Sequence, residues 1–492
     1  MNDLLRGKRL EEMNEKALNY TASIDFDSPL LPSVIKINKA HTIALYDAGV
    51  LSGPDALRLL KGLNIKEELP KESRLEDVHM FVEQRVREKT GEIGGYLNLG
   101  KSRNDQVATA IKMVTREYII ATMSSLLNLS ETLVNKAERS TEMVMPVYTH
   151  LQVAQPITFA HWLLAYESMI SRDMSRLSEN YRRVNSSPMG AAASAGTTVK
   201  INRKEVADYL GFASVVGNSI DAVSSRDTLL EFIFITSSIA LTLSRLSEDI
   251  NFMSNNETGI LIVPDSYAST SSAMPQKKNS VVTEIARACP GIILGNLVST
   301  ICVYKALPSS YNLDLQEMTP KMSESYLLIQ TTIDVMIGLI EGLKFNEKRS
   351  ENILIKNFST AMETAEYITI KMGIPFREAH HILGAYVREC LEKELEPLSK
   401  EAYSVFLKEL TPYKKNAINF KKYKSLLDPK QSVIKKTIYG GPSPSNTIKM
   451  VSEGRLYIIK YRENIRKEAE RLIKASSKLD QKVAEIIGGE SS

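Results

Sequence analysis

Prolines leave two long gaps in this 492-residue chain: none stands between Pro70 and Pro146, and none between Pro188 and Pro264. Proline removes a backbone donor and clashes with the preceding helical turn, so these gaps are where long helices can run. In the first gap Val107, Ile111, Val114, Tyr118 and Ala121 step by four and three residues, the spacing of an apolar helix stripe. Asn104 and Asp105 stand just ahead as N-cap candidates. Similar blocks at about 157–185, 226–253, 279–305 and 322–343 predict a mainly all-α fold with a central bundle of long helices. Pro290 is expected to kink or break the block at 279–305. Strand signals are scarce, the best being Gly259-Ile-Leu-Ile-Val263.

Three units are expected. A mixed, short-helical region covers 1–106, the bundle with its polar loop covers 107–355, and a small helical region covers 356–492, where Gly373-Ile-Pro375 and Gly440-Gly-Pro-Ser-Pro444 interrupt the pattern. Hydrophobic residues at 43% and charged residues at 24% match a soluble globular protein. The 62 basic and 58 acidic residues are spread evenly, which argues against a nucleic-acid partner and leaves a small anionic substrate open. The apolar run Thr228–Leu246 approaches a membrane span in length, but Glu231 and Arg245 inside it argue for a helix covered by protein on all sides. Cys289, Cys302 and Cys390 are far apart and the six histidines have no zinc-type spacing. A cytoplasmic protein without a metal is the expectation.

Three polar segments interrupt the helical blocks. Gly100-Lys-Ser-Arg-Asn-Asp-Gln106 precedes a long helix; it reads as a capping turn, or as a carboxylate site built from the Arg103 fork and the helix N-terminus. Tyr148-Thr-His-Leu-Gln-Val-Ala-Gln-Pro156 holds a lone histidine, a residue more often structural than catalytic. Ser269-Thr-Ser-Ser-Ala-Met-Pro-Gln-Lys-Lys-Asn-Ser280 reads as a flexible linker, or as a loop in which a hydroxyl is held as alkoxide beside Lys277 and Lys278.

The last of these resembles the signature of the fumarase/argininosuccinate lyase superfamily, Gly-Ser-Ser-x-Met-Pro-x-Lys-x-Asn, and its Gln276-Lys-Lys-Asn279 ending is similar to the argininosuccinate lyase branch. The first is similar to that family's Gly-Arg-Ser-Arg-Asn-Asp-Gln, with Lys101 for the first arginine, and the second matches its Tyr-Thr-His-Leu-Gln-x-Ala-Gln-Pro. Further matches, including Glu76-Asp-Val-His79, Asp221-Ala-Val-Ser-Ser-Arg-Asp227 and Tyr311-Asn-Leu-Asp-Leu-Gln-Glu317, extend the resemblance from about residue 20 to about 445. Departures are Thr270 for glycine, Ser280 for proline, Asn98-Leu99 for His-Thr, Pro29 and Val34 for an arginine and an aspartate, and Thr319 for a lysine that helps hold a substrate carboxylate. Lys321 is a candidate replacement for that lysine.

The resemblance implies reversible elimination of argininosuccinate to arginine and fumarate without a cofactor. It assigns Ser271 as base, His150 as the second catalytic group with Glu284 holding it, and Lys277 with Asn279 as the groups that stabilise the developing charge. It aligns Asn104, Thr149, Tyr311 and Gln316 with substrate contacts, with Ser23, Ser102 and Arg103 as additions. It also implies a three-domain architecture whose central helices build a twenty-helix homotetramer core, with each active site shared among three subunits. Adenylosuccinate lyase is the rival within the superfamily, because Ser271-Ser-Ala-Met-Pro275 also resembles its loop. A crystallin-like structural protein is the rival of another class, disfavoured by the presence of Ser271, His150, Lys277 and Glu284.

Overall fold

The computed structural model describes residues 9–70, 75–413 and 418–488. The elements used below are α1 (Leu31–Asp47), α2 (Val78–Thr90), α3 (Arg103–Glu138), β1 (Val144–Thr149), β2 (Gln152–Thr158), α4 (Phe159–Val184), α5 (Asp227–Ser254), β3 (Ser269–Thr270), β4 (Lys278–Asn279), α6 (Val281–Tyr304), α7 (Met318–Gly342) and α8 (Pro444–Gly488). The fold is mainly all-α, and its strands form two-stranded pairs. Helices α3 to α7 make the central bundle, with α3 packed against α4, α7 and α8, and α5 against α4, α6 and α7.

Long proline-free sequence explains the reach of these helices. With 36 residues, α3 is about 54 Å long, and α5, with 28, is about 42 Å. The expected stripe on α3 is only one side of it. Ile111 and Val114 are buried, but so are Ala108, Thr109, Ala110, Met113 and Thr115, because partners surround the helix. Helix α6 runs through Pro290 without a break, so the expected interruption is confined to one lost backbone donor.

The expectation that α5 is covered on all sides fails within a single chain. Phe234 is 54% and Leu241 47% exposed, two turns apart on one face, and Ile285, Ile292 and Val298 of α6 and Leu327 of α7 are exposed too. By length and composition α5 and α6 could cross a membrane. Their other faces lie in the main core, and Glu231 of α5 is paired with Arg183 and accepts from Asn180 Nδ2 at 2.9 Å.

A second core gathers Phe358, Ile368, Ile382, Tyr386, Phe406 and Tyr423, with the Tyr386 and Tyr423 hydroxyls 2.7 Å apart. Helix α8 returns to the first core through Val451, Ile458, Tyr461 and Leu479. The described residues between 356 and 488 therefore contribute to both cores.

Candidate active site

Three parts of the chain carry the candidate residues. The first is the start of α3. Ser102, rather than Asn104 or Asp105, is the N-cap: its hydroxyl accepts the Asn104 N–H at 3.3 Å, and Asp105 Oδ1 accepts the Ser102 N–H at 2.9 Å. The reciprocal pairing satisfies two N-terminal donors at once. Asp105 Oδ2 also accepts the N–H groups of Gly190 and Ala192, both at 2.9 Å, which ties the helix start to the loop beside α4. Arg103 and Asn104 are thereby held at a cavity of about 150 Å³ that is also lined by Ser23, Tyr311, Gln316 and Thr319. Gln316 is anchored through Nε2, which donates to the Thr21 carbonyl at 3.1 Å.

Opposed charges face this cavity. Arg103 Nη1 lies 3.3 Å from Asp77 Oδ2 and 3.7 Å from Glu76 Oε2. Asp27 Oδ2 accepts from the Ser23 hydroxyl at 2.8 Å and the Val78 N–H at 3.0 Å, yet burial raises its carboxyl to about 6. His79, also on the wall, is held down at about 4, chiefly by burial. Arg226 sits beside Tyr311 and is 2% exposed; Nη1 donates to the carbonyls of Val223 and Ser225, while Nε and Nη2 have no partner among the described residues. Burial lowers it to about 10, so it stays a cation at neutral pH. A small anion entering here meets Arg103 with Arg226 behind, and the acids then restrict how many anionic groups fit.

The second part is the β1–β2 hairpin. Its two-residue turn is His150-Leu151, with φ of 52° and 59°. Such turns favour Asn-Gly because both residues take the left-handed region, so a histidine and a leucine there store strain at an exposed tip. Tyr148, one pair before the end of the ladder, seats the turn end of the hairpin, its ring edge-on to Phe252 of α5 at 4.8 Å. Thr149 and His150 are exposed, and His150 has no hydrogen bond or ion pair among the described residues.

The third part is the loop between β3 and β4, whose ladder pairs Ser269 with Asn279 and Thr270 with Lys278. Ser271 Oγ accepts the N–H groups of Ala273 at 3.3 Å and Met274 at 3.2 Å, and the Ser271 N–H donates to the Lys277 carbonyl at 3.2 Å. Lys278 is the loop's anchor, bonded to Asp265 at 2.6 Å and to the Val263 carbonyl at 2.5 Å. Lys277 is exposed at the tip, and Glu284 is exposed on the first turn of α6.

Helix lengths place these parts relative to one another. Arg226 and the cavity lie at the N-terminal end of α5. Phe252, under the hairpin, and Ser254, whose hydroxyl is 3.4 Å from that of Ser280, lie at its C-terminal end. Arg103 likewise begins α3, and the hairpin follows its far end. One chain therefore brings together Ser23, Ser102, Arg103, Asn104, Tyr311 and Gln316 at one end of the bundle. It leaves Thr149, His150, Ser271, Lys277, Asn279 and Glu284 about 40 Å away. No hydrogen bond or ion pair joins Glu284 to His150 among the described residues.

Comparison with known proteins gives this division its context. Residues 56–295 match the family described as lyase, and residues 358–434 match the argininosuccinate lyase C-terminal family. The argininosuccinate lyase of Methanocaldococcus jannaschii is 36% identical over 480 residues, covering 96% of this chain and 98% of that one. That of Methanothermobacter thermautotrophicus is 39% identical, covering 92% and 98%.

The chain belongs to the argininosuccinate lyase family.

Among solved structures, EDDS lyase in complex with formate is similar with a TM-score of 0.86 at 27% identity, over 97% of this chain and 95% of that one. An EDDS lyase variant with bound fumarate gives 0.87 at 26%, over 100% and 99%.

As an argininosuccinate lyase family member, the chain departs from the pattern at a legible place. Thr319 is buried on the cavity wall, whereas Lys321, two positions on, is half-exposed and pairs with Glu324 at 3.8 Å. Residues two apart do not share a helix face, so Lys321 does not take the place of the missing lysine. Asp27 and Arg226 are not singled out from sequence, although Arg226 lies in a quoted motif; only burial distinguishes them. Among the lining residues of this cavity, Arg103 is the described cation, with Arg226 behind it. Arg103→Met is expected to raise KM for a dicarboxylate substrate by about 30-fold, the order of a lost charge-assisted hydrogen bond, with kcat changed far less, as read from initial rates.

Proposed function

We propose that the protein catalyses the reversible elimination of argininosuccinate to arginine and fumarate in the cytoplasm, with each active site completed by three copies of the chain in a homotetramer. The observation that carries this reading is the 28-residue separation, about 42 Å along α5, between the carboxylate cavity and the Ser271 and His150 segments. A substrate of argininosuccinate's size cannot span it. In a symmetric oligomer with antiparallel bundles, opposite ends of neighbouring copies meet. The exposed apolar faces of α5, α6 and α7, with Phe234, Leu241, Ile285 and Ile292, supply a surface for that packing.

In the completed site the cavity with Arg103, Asn104 and Tyr311 holds a carboxylate. Ser271 Oγ takes the proton from the carbon beside the substrate's other carboxylate. That step leaves a doubly charged aci-carboxylate, so stabilisation must come from groups already aimed at its oxygens; Lys277 and Asn279 have this role. The carbon–nitrogen bond then breaks, fumarate forms, and His150, oriented by Glu284 of a neighbouring copy, supports protonation of the departing guanidinium nitrogen. Ser23, Ser102, Thr149 and Gln316 complete the substrate contacts.

The test is fumarate release, followed by its ultraviolet absorbance, with argininosuccinate and adenylosuccinate offered separately. Release from argininosuccinate alone is expected. Cleavage of adenylosuccinate with argininosuccinate untouched would overturn the assignment.

A further inference from the structure

Lys101 is a buried amine that the reaction does not use. Its residue is 8% exposed, and its Nζ donates to Asn38 Oδ1 of α1. Asn38 is oriented for this, because its own Nδ2 donates to the Val34 carbonyl at 2.8 Å and turns the amide oxygen outward. Two residues before Lys101, the Leu99 carbonyl accepts from His41 Nε2 of α1 at 2.8 Å. Helix α1 therefore grips the turn before α3 at two points. Between them Gly100 has φ +76°, and a Cβ there would lie 3.1 Å from Val199, so the turn is confined on its other side as well.

We propose that Lys101 is a positioning residue for the carboxylate end of the site: its ammonium, clamped to Asn38, holds the turn so that Ser102, Arg103 and Asn104 face substrate, and loss of its proton loosens that hold. The proposal rests on reading this cavity as the binding place of the substrate's carboxylates.

Among the groups packed around Lys101 it is the amine that changes charge near pH 7, while Asp27, on the cavity wall, ionises lower, at about 6. Asp105 of α3 and Glu83 of α2 favour the ammonium, but burial outweighs them and lowers the amine to about 7. His41 of α1 is pushed down to about 3, mainly by burial and then by Lys101 itself, so it stays neutral. His79 of α2, on the cavity wall, feels Lys101 as well and is held at about 4, again neutral. As pH rises through 7, positive charge behind the cavity is lost. A bound dianion favours the charged amine, so substrate binding takes up a proton and affinity falls with rising pH. An arginine here would keep its charge throughout.

The experiment measures KM and kcat on argininosuccinate from about pH 6 to about pH 9 for the parent, Lys101→Arg and Lys101→Met. In the parent, KM is expected to rise about tenfold over this range, one decade being one unit of coupled pKa. Lys101→Arg should hold a low KM without the parent's rise above about pH 7, where Asp27 is already ionised, and Lys101→Met a high KM there, each with the parent's kcat profile. A Lys101→Arg enzyme whose KM follows the parent's pH limb would overturn the proposal, as would a folded Lys101→Met enzyme with the parent's KM at the acid end. If Lys101→Met does not fold, Lys101→Arg alone decides. A parent without activity on argininosuccinate would instead contradict the functional reading.

Discussion

Replacing Ser271 by alanine is expected to lower kcat on argininosuccinate by about 10³, within the range of a lost positioned proton transfer, while KM moves less than about threefold. A serine hydroxyl is a poor base unless its conjugate is stabilised. Here the N–H groups of Ala273 and Met274 already point at Oγ, from 3.3 and 3.2 Å. An alkoxide at Oγ would turn these weak contacts into charge-assisted ones, and in the proposed site Lys277 adds its charge. Alanine removes the acceptor and leaves the scaffold. The β3–β4 ladder, the Ser271 N–H bond to the Lys277 carbonyl and the Lys278–Asp265 pair do not involve the hydroxyl. Steady-state rates beside a thermal melt check both halves of this statement. An unchanged kcat in a folded variant would remove Ser271 from the base role.

Much of the fold was legible because it follows from local rules. The proline gaps marked where α3 and α5 run, and the clustered polar residues at 100–106, 148–156 and 269–280 marked the three parts that hold the candidate residues. What sequence left hidden depends on partners distant in the chain. Ser102 outcompetes Asn104 as cap because Asp105 sits where it can return the bond to the Ser102 N–H. Pro290 is tolerated because the surrounding bundle holds α6 together. The raised carboxyl of Asp27 and the Arg226 nitrogens that lack partners among the described residues go with burial, which no spacing reveals. The separation between Arg103 and Ser271 is likewise a property of how far α3 and α5 extend.

That separation leads to the second large effect, and to the most direct measurement of whether copies of the chain share their sites. Arg103→Met and Ser271→Ala chains, each prepared alone, place one lesion in every site. When the two are co-expressed and assemble at random, a site contained within one chain would still carry one lesion everywhere. A site that takes Arg103 from one copy and Ser271 from another escapes both lesions in about one quarter of cases. Fumarate release from the mixed oligomer, assayed well below KM, is therefore predicted to recover to about one quarter of the parent rate, far above either variant alone. A mixture no more active than its components would contradict the shared site.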